Sequence, residues 1–134
     1  MLPYTHKIQY YETDKMQITH HSNYIRFMEE ARVDFFEKLG VPYHEMEAQK
    51  IYSPVVRVSC DYKKTTTYPD EITIRVGVAE CKKFKFTLSY TMTVAETVVC
   101  TGTSTHCFLD EAGRPVCFTQ FPLFYETMLR ELSK

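Results

Sequence analysis

The chain has 134 residues and a mass of 15.8 kDa, which is enough for one hydrophobic core and too short for two. Apolar residues make up 44%, charged residues 25%, and there are only 4 Gly and 6 Pro, so a disordered or collagen-like chain is excluded. The net charge of -1 gives no overall field that would attract nucleic acid or an anionic membrane. We therefore expect a single domain over residues 1–134, with neither of these as a partner.

The sequence also bears on location and metal content. No apolar run approaches the roughly 20 residues that cross a bilayer, and the first residues lack the apolar centre of a secretory signal. The five cysteines are an odd number and include no Cys-x-x-Cys pair, so neither a disulfide framework nor a zinc site is indicated. We expect a cytoplasmic protein without a metal ion.

The first half of the chain predicts a strand and a long helix. Loose alternation over residues 5–11 favours a strand, which a loop follows. From Tyr24 to Leu39 apolar residues recur every three or four positions, the period of a helix with one buried stripe. Gly40 and Pro42 end this helix at about Leu39. Further apolar residues lie off the stripe, so other elements should cover most of the helix.

The second half predicts strands and a short terminal helix. Period-two alternation indicates four strands, at residues 56–63, 72–78, 84–94 and 98–109. A helix over residues 123–132 begins after Pro122. The element order predicts an α+β fold in which a five-stranded antiparallel sheet wraps around one long helix. The other face of such a sheet stays partly apolar, which predicts an oligomer.

The segment between the first strand and the long helix carries a specific pattern. Asp14 is followed seven residues later by His21, three later by Tyr24 and five later by Glu29, in register with the helix. This pattern resembles that of the hotdog-fold thioesterases of the 4-hydroxybenzoyl-CoA thioesterase family, as does the Glu-x-Ala-Arg pattern at residues 29–32. The resemblance covers nearly the whole chain. It implies a hotdog fold and hydrolysis of a coenzyme A thioester to free acid and CoA.

The resemblance also implies two catalytic positions. Asp14 matches the catalytic carboxylate, which acts as nucleophile or general base, and His21 matches the residue at the helix N-terminus beside the thioester carbonyl. The first N–H groups of a helix lack intrahelical partners and lie at the positive end of its dipole, so they stabilise a developing oxyanion. An Asp at this place is otherwise a turn residue. The His21 ring has three open roles: to orient water, to contact substrate or to cap the helix.

Four further residues are candidates for substrate binding. Lys82 and Lys83 align with a basic pair near the coenzyme A nucleotide in the family's namesake, so the resemblance implies phosphate contacts. The alternative is an ordinary exposed turn. Tyr24 and Phe27, near the start of the helix, are candidates to wall the acyl group, and the alternative is a core position.

Two further features are a departure from the family pattern at Gln17 and the charged residues of the long helix. The family usually has Gly where this chain has Gln17, so either the loop is reshaped or a polar side chain enters the site. On the helix, the spacing pairs Glu29 with Arg32 and Arg26 with Glu30, which predicts a solvated surface network.

We therefore predict an acyl-CoA thioesterase that needs no cofactor, because coenzyme A is part of the substrate. The expected assembly is a homodimer or homotetramer with the site at the subunit interface. Three alternatives stay open: a non-catalytic acyl-thioester binder, an enzyme acting on acyl carrier protein thioesters as hydrolase or dehydratase, and a structural oligomer. The acyl group is not specified by the sequence.

Overall fold

A computed structural model describes residues 1–134 and shows one antiparallel sheet with three helices. This confirms the predicted α+β class and the five-stranded antiparallel sheet. The sheet order is β1-β3-β4-β5-β2. The strands are β1 (Tyr4–Lys7), β2 (Val55–Tyr62), β3 (Glu71–Cys81), β4 (Lys85–Val94) and β5 (Thr97–Cys107), and the helices are α1 (Asn23–Lys38), α2 (Tyr43–Ala48) and α3 (Pro122–Leu132).

Several element boundaries differ from the predicted ones. β1 ends at Lys7, well before residue 11, because a 3-10 turn at Tyr10–Glu12 replaces its second half. In that turn the Glu12 carboxylate accepts a hydrogen bond from the Gln9 N–H (2.7 Å). α1 has 16 residues and ends at Lys38, one residue before the predicted end, and the short helix α2 was not predicted at all. None of the three helices has both the length and the apolar character needed to cross a membrane.

The hydrophobic core lies between α1 and the sheet. The predicted stripe of α1 is buried up to Phe35, and Phe36 beside it is also buried. Phe36 and Phe86 of β4 belong to an aromatic cluster with ring centroids 4.7 to 6.1 Å apart. Its other members are Phe108, Phe118 and Phe124. Because α1 is packed along its length, its N-terminus is held at a defined place beside the sheet.

The edge strand β2 differs from the rest of the sheet because both of its faces are exposed. It pairs with β5 on one side and with no strand on the other. Val55, Val56, Val58 and Tyr62 are each exposed by 38% or more. An unpaired apolar edge strand is a template for pairing with another chain.

Candidate functional site

A short hairpin carries Asp14 and leads directly into α1. The Asp14 N–H donates to the Ile18 carbonyl (2.9 Å), and the His20 N–H donates to the Glu12 carbonyl (2.8 Å). Thr13 and Thr19 form an antiparallel bridge between these two bonds. The segment predicted as a loop is thus ordered by its own backbone hydrogen bonds.

The Asp14 carboxylate is half-buried, and only one of its oxygens is engaged. Oδ1 accepts a hydrogen bond from the Met16 N–H (2.8 Å) in a local turn. Oδ2 has no hydrogen-bond or ion-pair partner within the chain. The carboxylate lines an open groove of about 750 Å³, whose walls include Tyr10, Gln17, Thr67 and Tyr68. One oxygen of Asp14 therefore stabilises the turn, and the other is available to act as a base or nucleophile.

The N-terminus of α1 presents an unpartnered N–H group. The N–H groups of Asn23 and Tyr24 donate to the carbonyls of His20 (3.0 Å) and His21 (3.2 Å). The His21 N–H makes no hydrogen bond within the chain. Ser22, at the N-cap, makes no capping bond and instead contacts the His20 ring through Oγ (2.9 Å). The chain thus leaves a donor free at the positive end of the helix.

The His21 side chain is exposed and does not line the groove at Asp14. Its ring lies 4.3 Å from the His20 ring and meets the Tyr62 ring edge-on at 6.2 Å, measured between centroids. The Tyr62 hydroxyl donates to the His21 carbonyl (3.1 Å). Asp14 and His21 therefore belong to one hairpin–helix unit, but none of the five main cavities of the single chain is lined by both of them.

A buried polar network, which the sequence did not predict, supports this unit. The buried Glu12 carboxylate contacts His6 Nε2 at 2.9 Å, and Asn23 Nδ2 donates to the Glu12 carbonyl at 2.9 Å. Glu30 accepts a bond from the Tyr4 hydroxyl (2.8 Å) and lies 3.5 Å from His6 Nδ1. Burial and Glu30 raise the pKa of Tyr4 to about 12, so its phenol stays protonated and donates. The network joins β1, the hairpin and α1.

Tyr24 and Phe27 lie in the core behind the hairpin. Tyr24 is 3% exposed, and its hydroxyl is 2.9 Å from Thr66 Oγ1; burial raises its pKa. Phe27 is fully buried, with its ring 4.3 Å from that of His6. Neither side chain lines the groove at Asp14 in the single chain.

Lys82 and Lys83 lie in an exposed turn between β3 and β4. Lys82 forms an ion pair with Glu80 (2.9 Å between Nζ and Oε1). β3 has 11 residues and therefore spans about 35 Å. The hairpin follows β1, whose last residue pairs with the first residue of β3, so the lysines lie at the opposite end of that strand. The structure does not bring them near Asp14 of the same chain.

Gln17 keeps the backbone conformation that a glycine would favour. Its φ is +65°, in the left-handed region. Its carbonyl accepts a hydrogen bond from Thr67 Oγ1 (2.6 Å), which ties the turn to the segment before β3. The side chain lines the groove. The loop is thus formed without glycine, at a conformational cost of about 1 kcal/mol.

We expect Gln17→Gly to raise the free energy of unfolding by up to about 1 kcal/mol, because the left-handed strain disappears and the added freedom of the unfolded chain offsets part of the gain. Urea unfolding measures this change. Lys50→Gly is the matched control, since Lys50 has a φ of +62° in an exposed turn, and a similar gain is expected there. A loss of stability in Gln17→Gly alone would show that its side chain holds the groove together.

The predicted surface ion pairs on α1 are wrong. Arg32 is only 9% exposed, and no carboxylate oxygen lies within 4.0 Å of it. Glu30 contacts Tyr4 and His6, and it does not contact Arg26. The helical spacing is correct, but α2 and the sheet cover the face on which Arg32 lies.

Comparison with known sequences identifies the family of this chain. A family model described as the thioesterase-like superfamily matches residues 8–132. A protein of Aquifex aeolicus (strain VF5), provisionally named an esterase, is 35% identical over 106 residues, which is 79% of this chain and 83% of that protein. A protein of Bacillus subtilis (strain 168), provisionally named acyl-CoA thioesterase YneP, is 32% identical over 119 residues, covering 87% and 86% of the two chains.

Solved structures show the same architecture. The crystal structure of a DHNA-CoA thioesterase from Staphylococcus aureus superposes with a TM-score of 0.92 at 28% sequence identity. The match covers 96% of this chain and 89% of that one. The chain therefore belongs to the thioesterase-like superfamily, with a hotdog fold, and is a thioester hydrolase.

Proposed function

We propose that this protein is an acyl-CoA thioesterase that hydrolyses a coenzyme A thioester to a free carboxylic acid and CoA. One observation carries the proposal: a single hairpin–helix unit presents a free carboxylate oxygen at Asp14 and a free N–H at His21. A thioester carbonyl needs a nucleophile or base at its carbon and a donor at its oxygen. The names of the two relatives from Bacillus subtilis and Staphylococcus aureus point to the same substrate class.

In the proposed mechanism the carbonyl oxygen accepts a hydrogen bond from the His21 N–H. This donor and the helix dipole stabilise the negative charge that develops there, and one such donor is worth about 2.7–4 kcal/mol. Asp14 Oδ2 either attacks the carbon, expelling CoA thiolate and leaving an anhydride that water hydrolyses, or removes a proton from the attacking water. The Met16 N–H holds the other oxygen and thereby sets the direction of Oδ2.

We further propose that a second copy of the chain completes the site. The unpaired edge of β2 is the proposed contact, and Tyr62 on this strand touches His21. A second copy along this edge would cover the exposed aromatic residues near the hairpin and supply walls for the acyl group. It would also be the source of Lys82 and Lys83 as phosphate contacts. The free thiols of all five cysteines support a reducing cytoplasm as the location.

Thiol release from a panel of aliphatic and aromatic acyl-CoAs tests the proposed function. We expect turnover of at least one of these thioesters without added metal or cofactor. The same acyl group offered on acyl carrier protein is the matched comparison and should react more slowly. Saturable binding of acyl-CoA without thiol release would instead identify a binding protein, and faster hydrolysis of the carrier-protein form would change the substrate class.

A further inference from the structure

A second cavity, of about 600 Å³, lies between α1, α2 and the segment before β2. No residue that lines the groove at Asp14 also lines this cavity. Its walls include Arg32 from α1, Tyr43 from α2 and Ser53. A volume of this size accommodates a small organic molecule.

The guanidinium of Arg32 is buried at this cavity without a counter-ion. Arg32 is 9% exposed, no carboxylate oxygen lies within 4.0 Å of it, and its polar neighbours include the hydroxyls of Tyr43 and Tyr90, which are protonated. The positive charge of Arg32 also acts on the buried ring of His106. Burial and, to a smaller extent, this charge lower the pKa of His106 to about 3. A largely buried charge whose neighbours are neutral is unfavourable, which favours binding of an anion at this cavity.

Two neutral donors in the same cavity also lack partners. The hydroxyl oxygens of Tyr43 and Ser53 are buried and have no hydrogen-bond partner. Burial raises the pKa of Tyr43, so its phenol is protonated and available as a donor. Native proteins rarely leave buried polar atoms unsatisfied. These two hydroxyls, together with the Arg32 guanidinium, therefore indicate a binding site for an acceptor.

The acidic residues of the cavity do not neutralise Arg32. Glu29, Glu37 and Glu47 are exposed at its mouth, and none is within 4.0 Å of Arg32. Asp110 Oδ1 already accepts hydrogen bonds from the Ala112 and Arg114 N–H groups, both at 2.9 Å. These carboxylates repel anions within the screening length of about 8 Å at physiological salt. Because this repulsion grows with the charge of the ligand, the mouth disfavours multiply charged anions more than a monoanion.

We propose that this cavity binds a carboxylate group. A planar carboxylate accepts two parallel hydrogen bonds from a guanidinium, and its remaining lone pairs suit the hydroxyls of Tyr43 and Ser53. The carboxylate has two possible sources, a free organic acid or the far end of an acyl group. The second source rests on the proposed thioesterase function, and the first does not.

Binding of benzoate, with benzamide as its neutral isostere, tests the site without requiring turnover. We expect the wild-type chain to bind benzoate at least tenfold more tightly than benzamide by calorimetry. Arg32→Gln should abolish this preference, and Tyr43→Phe and Ser53→Ala should each weaken benzoate binding by about three- to tenfold. Equal affinities for the two compounds, or unchanged benzoate binding in Arg32→Gln, would overturn the proposal.

Thermal unfolding of the same variants without ligand separates binding from structure. Tyr43→Phe keeps the ring that packs edge-on against Phe36, 5.0 Å away between centroids, and removes only the unsatisfied hydroxyl. We expect Tyr43→Phe and Arg32→Gln to unfold at the same temperature as the wild type or higher. A lower unfolding temperature for both variants, with no change in benzoate affinity, would assign these residues a structural role.

Two comparisons distinguish the source of the carboxylate and the competing occupant. If the acyl group supplies it, glutaryl-CoA is hydrolysed with a lower KM than pentanoyl-CoA, and Arg32→Gln removes this difference. If a free acid supplies it, the two thioesters behave alike while benzoate still binds. Dissociation of a wild-type oligomer by Arg32→Gln, in the absence of any benzoate binding, would show that a second copy provides the counter-ion and would refute the proposal.

Discussion

Replacing Asp14 with Asn is expected to lower kcat for acyl-CoA hydrolysis by about 10³-fold or more, with the fold unchanged. The asparagine keeps an oxygen that can accept the Met16 N–H, so the turn and the groove are preserved. It loses the negative charge that the nucleophile or base requires. Thiol release at saturating acyl-CoA measures the rate, and circular dichroism with urea unfolding verifies the fold.

Asp34→Asn is the matched control for this experiment. It makes the same chemical change on the surface of α1, where Asp34 pairs with Lys38 at 2.6 Å and does not contact the hairpin. We expect full activity in this variant. Equal rates for the wild type and Asp14→Asn would remove Asp14 from the mechanism, whereas reduced rates in both variants would point to a general effect of lost charge.

If Asp14 is essential, a single turnover in heavy-oxygen water distinguishes its two roles. In a covalent route in which water attacks the Asp14 carboxyl carbon of the anhydride, the first product acid keeps an enzyme oxygen and carries no solvent label. A general-base route places solvent oxygen in the acid from the first turnover.

Replacing Gly102 with Ala is expected to destabilise the protein by about 3 kcal/mol or more, or to prevent folding. Gly102 lies in β5 between β4 and β2. An added Cβ would collide with the Met28 side chain of α1 and with the Ser59 carbonyl of β2. The Ser59 oxygen belongs to the backbone of a paired strand, so it cannot move away without breaking the β2–β5 pairing.

Gly77→Ala provides a direct comparison, because Gly77 also lies within a strand. There an added Cβ would meet only the Ser89 hydroxyl, at 3.2 Å, and a side chain can rotate away. We expect a loss below about 1 kcal/mol. Urea unfolding of both variants measures the difference, and similar losses would show that the close approach of α1 and β2 at Gly102 is not what limits stability.

The sequence predicted the sheet well because strand patterning is a local property. In β4, alternation predicts that Phe86, Leu88, Tyr90 and Met92 share one face, and all four are buried. The position of Asp14 between a strand and the long helix was likewise readable, because the spacing from Asp14 through His21 to Tyr24 belongs to contiguous chain. Such patterns need no knowledge of what packs against the segment.

The sequence did not predict features that depend on contacts between distant segments. β1 is short because the Glu12 carboxylate binds the Gln9 N–H and contacts His6, which favours a 3-10 turn over a continued strand. The helix α2 is only six residues long, too short for periodicity to identify, and packing against α1 stabilises it.

By itself, the sequence determined the α+β class, the family and the segment that carries the candidate catalytic residues. Only the tertiary structure decided that Gln17 adopts the left-handed conformation, that the His21 N–H stays free, and that Arg32 is buried without a counter-ion. Residue spacing specifies which side chains share a face of a helix or strand. It does not specify what covers that face, and burial and hydrogen bonding depend on the covering groups.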